Sequence, residues 1–261
     1  MRIAAVQLRV SDLEPPPTRL EAARQAVRAE AARGAELVVL PEMWLPGFFA
    51  FDDYPRVAEP LDGPTATGLS KLAAECGVHL CAGSLVERST EGSRRLHNTT
   101  TVFGPDGALL AAYRKIHLYG YGSREQELLT PGRDVLTCEI AGVRVGLSTC
   151  YDLRFPELYR AAAAEDAELF VVVAGWPFPR VDAWRCLARA RAIENQAALV
   201  GCNAAGRQGS GVFAGASVAF NAWGTPLGEL DDRPGILRVE IEPDDIRAAR
   251  AEFPALRDRV L

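Results

Sequence analysis

The sequence predicts an α/β protein whose mixed β-sheets carry helices on their outer faces. Segments of helical period alternate with short, β-branched apolar runs. Several pairs of those runs are joined by tight-turn residues, and purely parallel α/β units cannot absorb that many hairpins. No linker, composition break or internal repeat divides the 261 residues, so residues 1–261 are expected to form a single domain.

Ile3 to Val10 reads as the first strand, followed by a turn at Glu14-Pro15-Pro16-Pro17. Thr18-Arg19-Leu20-Glu21 is a capping-box pattern, predicting a helix that carries Leu20, Ala23, Val27 and Ala31 on one face and stops at Gly34. Leu37 to Leu40 is too short and too β-branched for a helix and reads as a buried strand. A helix over Thr65–Cys76, ended by Gly77, precedes a strand over Val78–Leu85. Asn98–Phe103 and Ala108–Tyr113 flank Gly104-Pro105-Asp106-Gly107, a hairpin signal. Val135–Ile140 and Val143–Thr149 form a second pair across Ala141-Gly142. Pro156 suits a first helical turn, predicting a helix to about Ala164. Leu169–Ala174 is a buried strand. Asp182–Ala197 reads as a helix with Ala183, Cys186, Leu187, Ala190 and Ile193 on its apolar face. Strands are expected again at Leu199–Asn203, Gly215–Asn221, Pro226–Leu230 and Ile236–Ile241.

Composition narrows the function. Hydrophobic residues make up 48% and charged residues 24%, as in an ordinary globular enzyme. The net charge of −5 and the scattered arginines offer no basic face for nucleic acid. Apolar runs such as Leu37–Leu40 are too short to span a bilayer. Met1 and Arg2 lead directly into a strand with no signal-peptide pattern, so a cytoplasmic location is expected, with Cys76, Cys81, Cys138, Cys150, Cys186 and Cys202 as reduced thiols. Cys76-x-x-His79-x-Cys81 is the one ligand-like cluster. It lacks a fourth ligand and runs from a helix end into a strand, so no metal is expected there.

Three segments put a reactive side chain at or near the end of a buried strand, where α/β proteins place their sites. In Leu40-Pro41-Glu42-Met43-Trp44, Glu42 leaves a run of apolar residues. Desolvation there would favour a general base, though a carboxylate just past a strand end can equally be a surface group. In Tyr113-Arg114-Lys115-Ile116-His117-Leu118, strand alternation would turn Lys115 to the same face as Tyr113 and His117. Taken alone, Lys115 is more often a solvated strand residue. In Gly146 to Glu157 a strand runs into Cys150 and a helix follows shortly after. That arrangement resembles a nucleophile elbow, with free backbone N–H groups near the thiol; the alternative is an inert core thiol.

Pro41-Glu42, Arg114-Lys115-Ile116-His117-Leu118 and Thr149-Cys150-Tyr151-Asp152-Leu153-Arg154-Phe155-Pro156-Glu157 resemble, in order and spacing, the three signature segments of the nitrilase (carbon–nitrogen hydrolase) superfamily. The resemblance continues through Ala174-Gly175-Trp176-Pro177, Arg189–Asn195 and Phe253-Pro254, covering nearly the whole chain. It implies a four-layer α-β-β-α sandwich of two mixed β-sheets that pairs through its outer helices into a homodimer or larger homo-oligomer. By that likeness Cys150 is the nucleophile, Glu42 the general base and Lys115 the cation facing the oxyanion, beside the Tyr151 N–H. A second glutamate after the lysine is implied, and Glu125 fits its place better than Glu127. Nucleophile, proton carrier and oxyanion cation are what amide hydrolysis requires, with no metal or cofactor.

Tyr151-Asp152 stands where true nitrilases usually carry Trp-Glu, so the resemblance points away from nitriles. It points to amidases that release ammonia from ω-amides of carboxylic or oxo acids through a thioester. The alternatives are an N-carbamoyl amino acid or amine hydrolase, or a non-catalytic binding protein of the same fold. No synthetase or second catalytic domain is present to receive the ammonia, so it is expected to leave free. Arg154 stands where related carbamoylases hold a substrate carboxylate; it could do so through paired charge-assisted hydrogen bonds, or form a structural salt bridge with Glu157 or another acid. Tyr119, Tyr151 and Trp176 are expected beside the substrate, with Trp44, Phe48, Phe49, Phe51 and Tyr121 as further candidates. Asn221 and Ala216 depart from an aspartate and a histidine common in relatives.

Overall fold

The computed structural model describes residues 1–90 and 95–260. The first half contains β1 (Arg2–Gln7), α1 (Pro16–Ala32), β2 (Leu37–Val39), α2 (Pro64–Cys76), β3 (His79–Arg88), β4 (Leu96–Phe103) and β5 (Leu109–Arg114). The middle contains β6 (Thr137–Ile140), β7 (Val143–Thr149), α3 (Pro156–Ala164), β8 (Leu169–Ala174) and α4 (Val181–Asn195). The remainder contains β9 (Ala198–Asn203), β10 (Ala205–Gln208), β11 (Gly211–Ala214), β12 (Val218–Phe220), β13 (Pro226–Glu229), β14 (Gly235–Glu240) and α5 (Pro243–Glu252).

Two six-stranded mixed sheets result. One runs β14-β1-β2-β3-β4-β5, with β1, β2 and β3 parallel. The other runs β13-β12-β9-β8-β7-β6, with β7, β8 and β9 parallel. The hairpins occupy the outer positions of each sheet, which is how they coexist with parallel strands. Side chains alternate across a strand, and this alternation builds the layers. Ala4, Val6, Val38, Leu40, Leu80 and Ala82 pack with Ala23, Val27, Leu69 and Leu72 of α1 and α2. Their neighbours Ile3, Ala5, Leu37, Val39 and Cys81 face the other way and share a core with the second sheet. Tyr159 of α3 and Trp184 of α4 cover that sheet's far side, completing the α-β-β-α order.

Some elements differ from expectation. β1 ends at Gln7 rather than Val10, because Arg9 and Val10 pair instead with Ala205. The capping box at Thr18 is absent. Helix α1 begins at Pro16, where two prolines preset the first turn, so Thr18 already lies inside it. Helix α4 buries Trp184, Ala188, Arg191, Ala192 and Asn195, while Cys186 and Ile193 are exposed. Its packing face is set by one large indole and small residues, which a count of aliphatic positions misses. The hairpin β10–β11 and helix α5 were not anticipated, and the strand expected over Gly215–Asn221 is only β12. Helix α5 buries Ile246 and Ala249.

All six cysteines are free thiols. Cys81 lies in the core between the sheets and Cys76 packs on the outer side of the first sheet. Among the described residues no cluster of three or more His, Cys, Asp or Glu is arranged to hold a metal ion, and no helix is long and apolar enough to cross a membrane. Asn221 caps its own turn, its Oδ1 accepting the N–H groups of Trp223 and Thr225 at 3.0 and 2.9 Å. Ala216 has a positive φ of 50° and accepts the Trp184 indole N–H on its carbonyl.

Candidate active site

Glu42, Cys150 and Gly175 each follow the C-terminal end of a parallel strand, and both sheets contribute to one site. At Glu42 the chain leaves β2 through Pro41 and takes a positive φ of 45° at Met43. Met43 N–H is held at 3.0 Å by Ser84 Oγ. Gly83 makes this close crossing possible, since a Cβ there would sit 2.0 Å from the Pro41 carbonyl oxygen. Cys150 itself has a φ of 49°, an uncommon conformation for a side-chain-bearing residue that often marks functional sites. Its turn is fixed by a capping box between Thr149 and Asp152. Asp152 also accepts from the Tyr113 hydroxyl at 2.7 Å and the His117 N–H at 2.9 Å. The elbow is thus anchored to the segment carrying Lys115.

Strand β5 ends at Arg114, so the alternation expected for Lys115 does not continue. Lys115 is not solvated but fully buried: its Nζ donates to Glu42 Oε1 at 2.8 Å and to Glu125 Oε1 and Oε2 at 3.0 and 2.9 Å. Glu125 is buried and also accepts the Tyr119 N–H at 2.6 Å. Glu127, two residues on, is exposed and pairs with Arg124. Of the two glutamates, Glu125 is the one in contact with Lys115. Glu42 is almost completely buried, yet donors surround it: Lys115, Asn98 Nδ2 and the Gly175 N–H, each at 2.8 Å.

Asn98 was not anticipated from sequence. Its Nδ2 donates to Glu42 Oε1 and Glu125 Oε1, both at 2.8 Å, so one carboxamide ties the two carboxylates together. Nothing local in an Asn on a β-strand signals such a role.

The electrostatics are those of a closed, coupled cluster. Burial alone would push Lys115 down, but Glu125 and then Glu42 offset it and the ammonium is held well above its ordinary range. Burial pushes Glu125 up, against the pull of Lys115 and reinforced by Glu42. Burial also pushes the Cys150 thiol well up; Glu42 raises it further, and Lys115 opposes.

Cys150 opens onto a pocket with a free volume of about 30 Å³, lined by Phe48, Phe49, Tyr119, Tyr151, Arg154, Gly175, Trp176, Pro177 and Arg180. Every residue expected beside the substrate is here. Of the further candidates, Trp44 is buried elsewhere with its indole N–H on the Ala82 carbonyl. Phe51 packs behind Phe48 and Phe49, and Tyr121 is largely exposed. Arg154 forms no ion pair with Glu157 or any other acid among the described residues; its guanidinium lies 5.0 Å from the Trp176 ring. His117 does not approach the thiol as a base would: its Nδ1 is 2.8 Å from Asp152 and its ring stacks on Phe155 at 3.7 Å.

Comparison with known proteins places this geometry. Residues 2–251 match the carbon–nitrogen hydrolase family. The chain is 37% identical to 2-oxoglutaramate amidase of Paenarthrobacter nicotinovorans, over 98% of this chain and 88% of that one. It is 33% identical to human omega-amidase NIT2, over 99% and 94%. The crystal structure of Saccharomyces cerevisiae Nit3, a member of branch 10 of the nitrilase superfamily, superposes with a TM-score of 0.90 at 27% identity, covering 100% of this chain and 97% of that one. The chain belongs to the carbon–nitrogen hydrolase family of the nitrilase superfamily, and it is an amide-hydrolysing enzyme.

Proposed function

We propose that residues 1–261 act as one catalytic domain that hydrolyses the ω-amide of a small carboxylic or oxo acid to the acid and ammonia. The observation that carries this reading is the buried cluster in which Lys115 Nζ donates to Glu42 at 2.8 Å and to Glu125 at 2.9 Å, with Cys150 just past the end of β7. Glu42 takes the thiol proton as sulfur attacks the amide carbon. The oxyanion faces Lys115 and the Tyr151 N–H. Glu42 then protonates the departing amine, ammonia leaves, and a thioester remains on Cys150. Water attacks the thioester, giving its proton to Glu42; the acid is released and the proton returns to sulfur. Glu125 holds Lys115 from the other side throughout. Loss of an oxyanion donor costs about 3–4 kcal/mol of barrier, so Lys115→Ala should lose most activity.

Arg154, half-buried and without an acid partner among the described residues, supplies the charge that would hold the substrate's carboxylate, with Tyr119, Tyr151 and Trp176 around the carbon chain. The names of the relatives, 2-oxoglutaramate amidase and omega-amidase, agree with such a substrate. Exposed Ile193, Trp223, Leu227 and Phe253 lie on the α4 and α5 side, with Trp223 and Phe253 rings 6.4 Å apart. They support a homodimer formed through this face. Free thiols throughout agree with a reducing, cytoplasmic setting.

The test is ammonia release from 2-oxoglutaramate, succinamate, aliphatic amides and carbamoyl amino acids, using wild type and Cys150→Ala. Release from the ω-amides that vanishes in the variant supports the reading. Carbon dioxide release from the carbamoyl compounds instead would replace it with a carbamoylase.

A further inference from the structure

Arg180 is a second cation at the same pocket, and neither its segment nor its charge belongs to the signature motifs. It ends a short turn, Phe178–Arg180, that leads into α4. Its carbonyl accepts the Trp176 indole N–H at 2.8 Å, and the face of that same indole carries the Arg154 guanidinium. One tryptophan therefore positions both arginines. The Arg180 guanidinium lies 5.3 Å from the Tyr121 ring and, like Arg154, forms no ion pair among the described residues. Both charges reach the Tyr119 phenol in the pocket wall, where they oppose the upward push of burial, Arg180 more strongly than Arg154.

We propose that Arg180 is a specificity-determining residue that acts with Arg154 to select amides ending in a carboxylate with no neighbouring ammonium. This rests on the amidase reading and goes beyond it by assigning a residue and an excluded substrate. A carboxylate between two guanidiniums and the Tyr119 hydroxyl finds paired donors. An α-ammonium beside it meets two like charges. The acids nearest the reaction, Glu42 and Glu125, are already engaged by Lys115 and Asn98. An oxo group at that carbon carries no such conflict.

Three amides on one five-carbon skeleton test this: glutaramate, which is anionic; pentanamide, which is neutral; and L-glutamine, which is zwitterionic. Their kcat/KM values are compared by ammonia release for wild type, Arg180→Met and Arg180→Lys. Wild type should prefer glutaramate to both others. In Arg180→Met the glutaramate-to-pentanamide ratio should fall by about 10-fold or more, mainly through KM, and the handicap of glutamine relative to glutaramate should shrink. Arg180→Lys, which keeps the charge without the fork, should lie between. An active variant of either kind with wild-type ratios overturns the role of Arg180 alone. Wild-type protein that releases ammonia from none of the three, nor from 2-oxoglutaramate, overturns the amidase reading beneath it.

Discussion

Asn98 donates its side-chain amide to Oε1 of Glu42 at 2.8 Å, the oxygen that also accepts from Lys115. The same nitrogen reaches Glu125, where its hydrogen bond pulls the carboxyl down against burial. Asn98→Ala should let that carboxyl rise, so the acidic limb of the pH–kcat profile moves to higher pH. Asn98→Asp, which sets a third carboxylate against two, should cost at least about 100-fold in kcat. A residue with only a structural role would lower the melting temperature and leave the limb in place.

Glu42 and Lys115 act on the Cys150 thiol in opposite directions, and the sign can be tested. Glu42→Gln removes the base and should lower amidase activity by about 100-fold or more. It also removes a charge that raises the thiol, so Lys115 can favour the thiolate. Alkylation of Cys150 by iodoacetamide at neutral pH should therefore hold or accelerate in Glu42→Gln while turnover collapses. Peptide mass spectrometry reads the alkylation, with exposed Cys186 as the internal reference, and ammonia release reads the turnover.

Asp152 is predicted to hold the elbow rather than take part in proton transfer. It receives Thr149 N–H, Tyr113 hydroxyl and His117 N–H while fully buried. Asp152→Ala should destabilise the fold by about 2–5 kcal/mol in denaturant titration, because several buried donors lose their acceptor. His117→Ala should keep near-normal kcat; a large loss would point instead to a cysteine–histidine mechanism.

The Glu87–Arg114 pair should give a measurable acid dependence of stability. Burial pushes the Glu87 carboxyl up, but hydrogen bonds from Arg114 and Thr99 and the Arg114 charge outweigh it and leave it below its ordinary 4.5. Its contribution is full above the unfolded-state value and is lost as pH falls through the folded-state one. Glu87→Gln should cost about 1–3 kcal/mol at pH 7, discounted for the partly exposed Arg114. The gap from wild type should narrow below pH 4.5.

The sequence revealed the features that depend on local pattern. Apolar runs located β2, β7 and β8, and the positions just past their ends are those of Glu42, Cys150 and Trp176. Alternation failed at Lys115, where the strand ends and a long-range pull from Glu42 and Glu125 takes over. Asn98 and the bonds of Asp152 to Tyr113 and His117 were illegible because those partners lie on other strands and loops, far away in the chain. The same holds for β10–β11, whose Gln208 accepts the Phe49 N–H at 3.0 Å and so steadies the loop that lines the pocket.

The central claim is that turnover passes through a thioester on Cys150. Acid-quenching the enzyme in the first turnovers with 2-oxoglutaramate or succinamate, then mapping peptides by mass spectrometry, tests it most directly. The predicted result is an acyl group on the Cys150 peptide, removed by hydroxylamine and absent from Cys150→Ala, which releases no ammonia. Ammonia released by Cys150→Ala at the wild-type rate, or an acyl group confined to another residue, would contradict it.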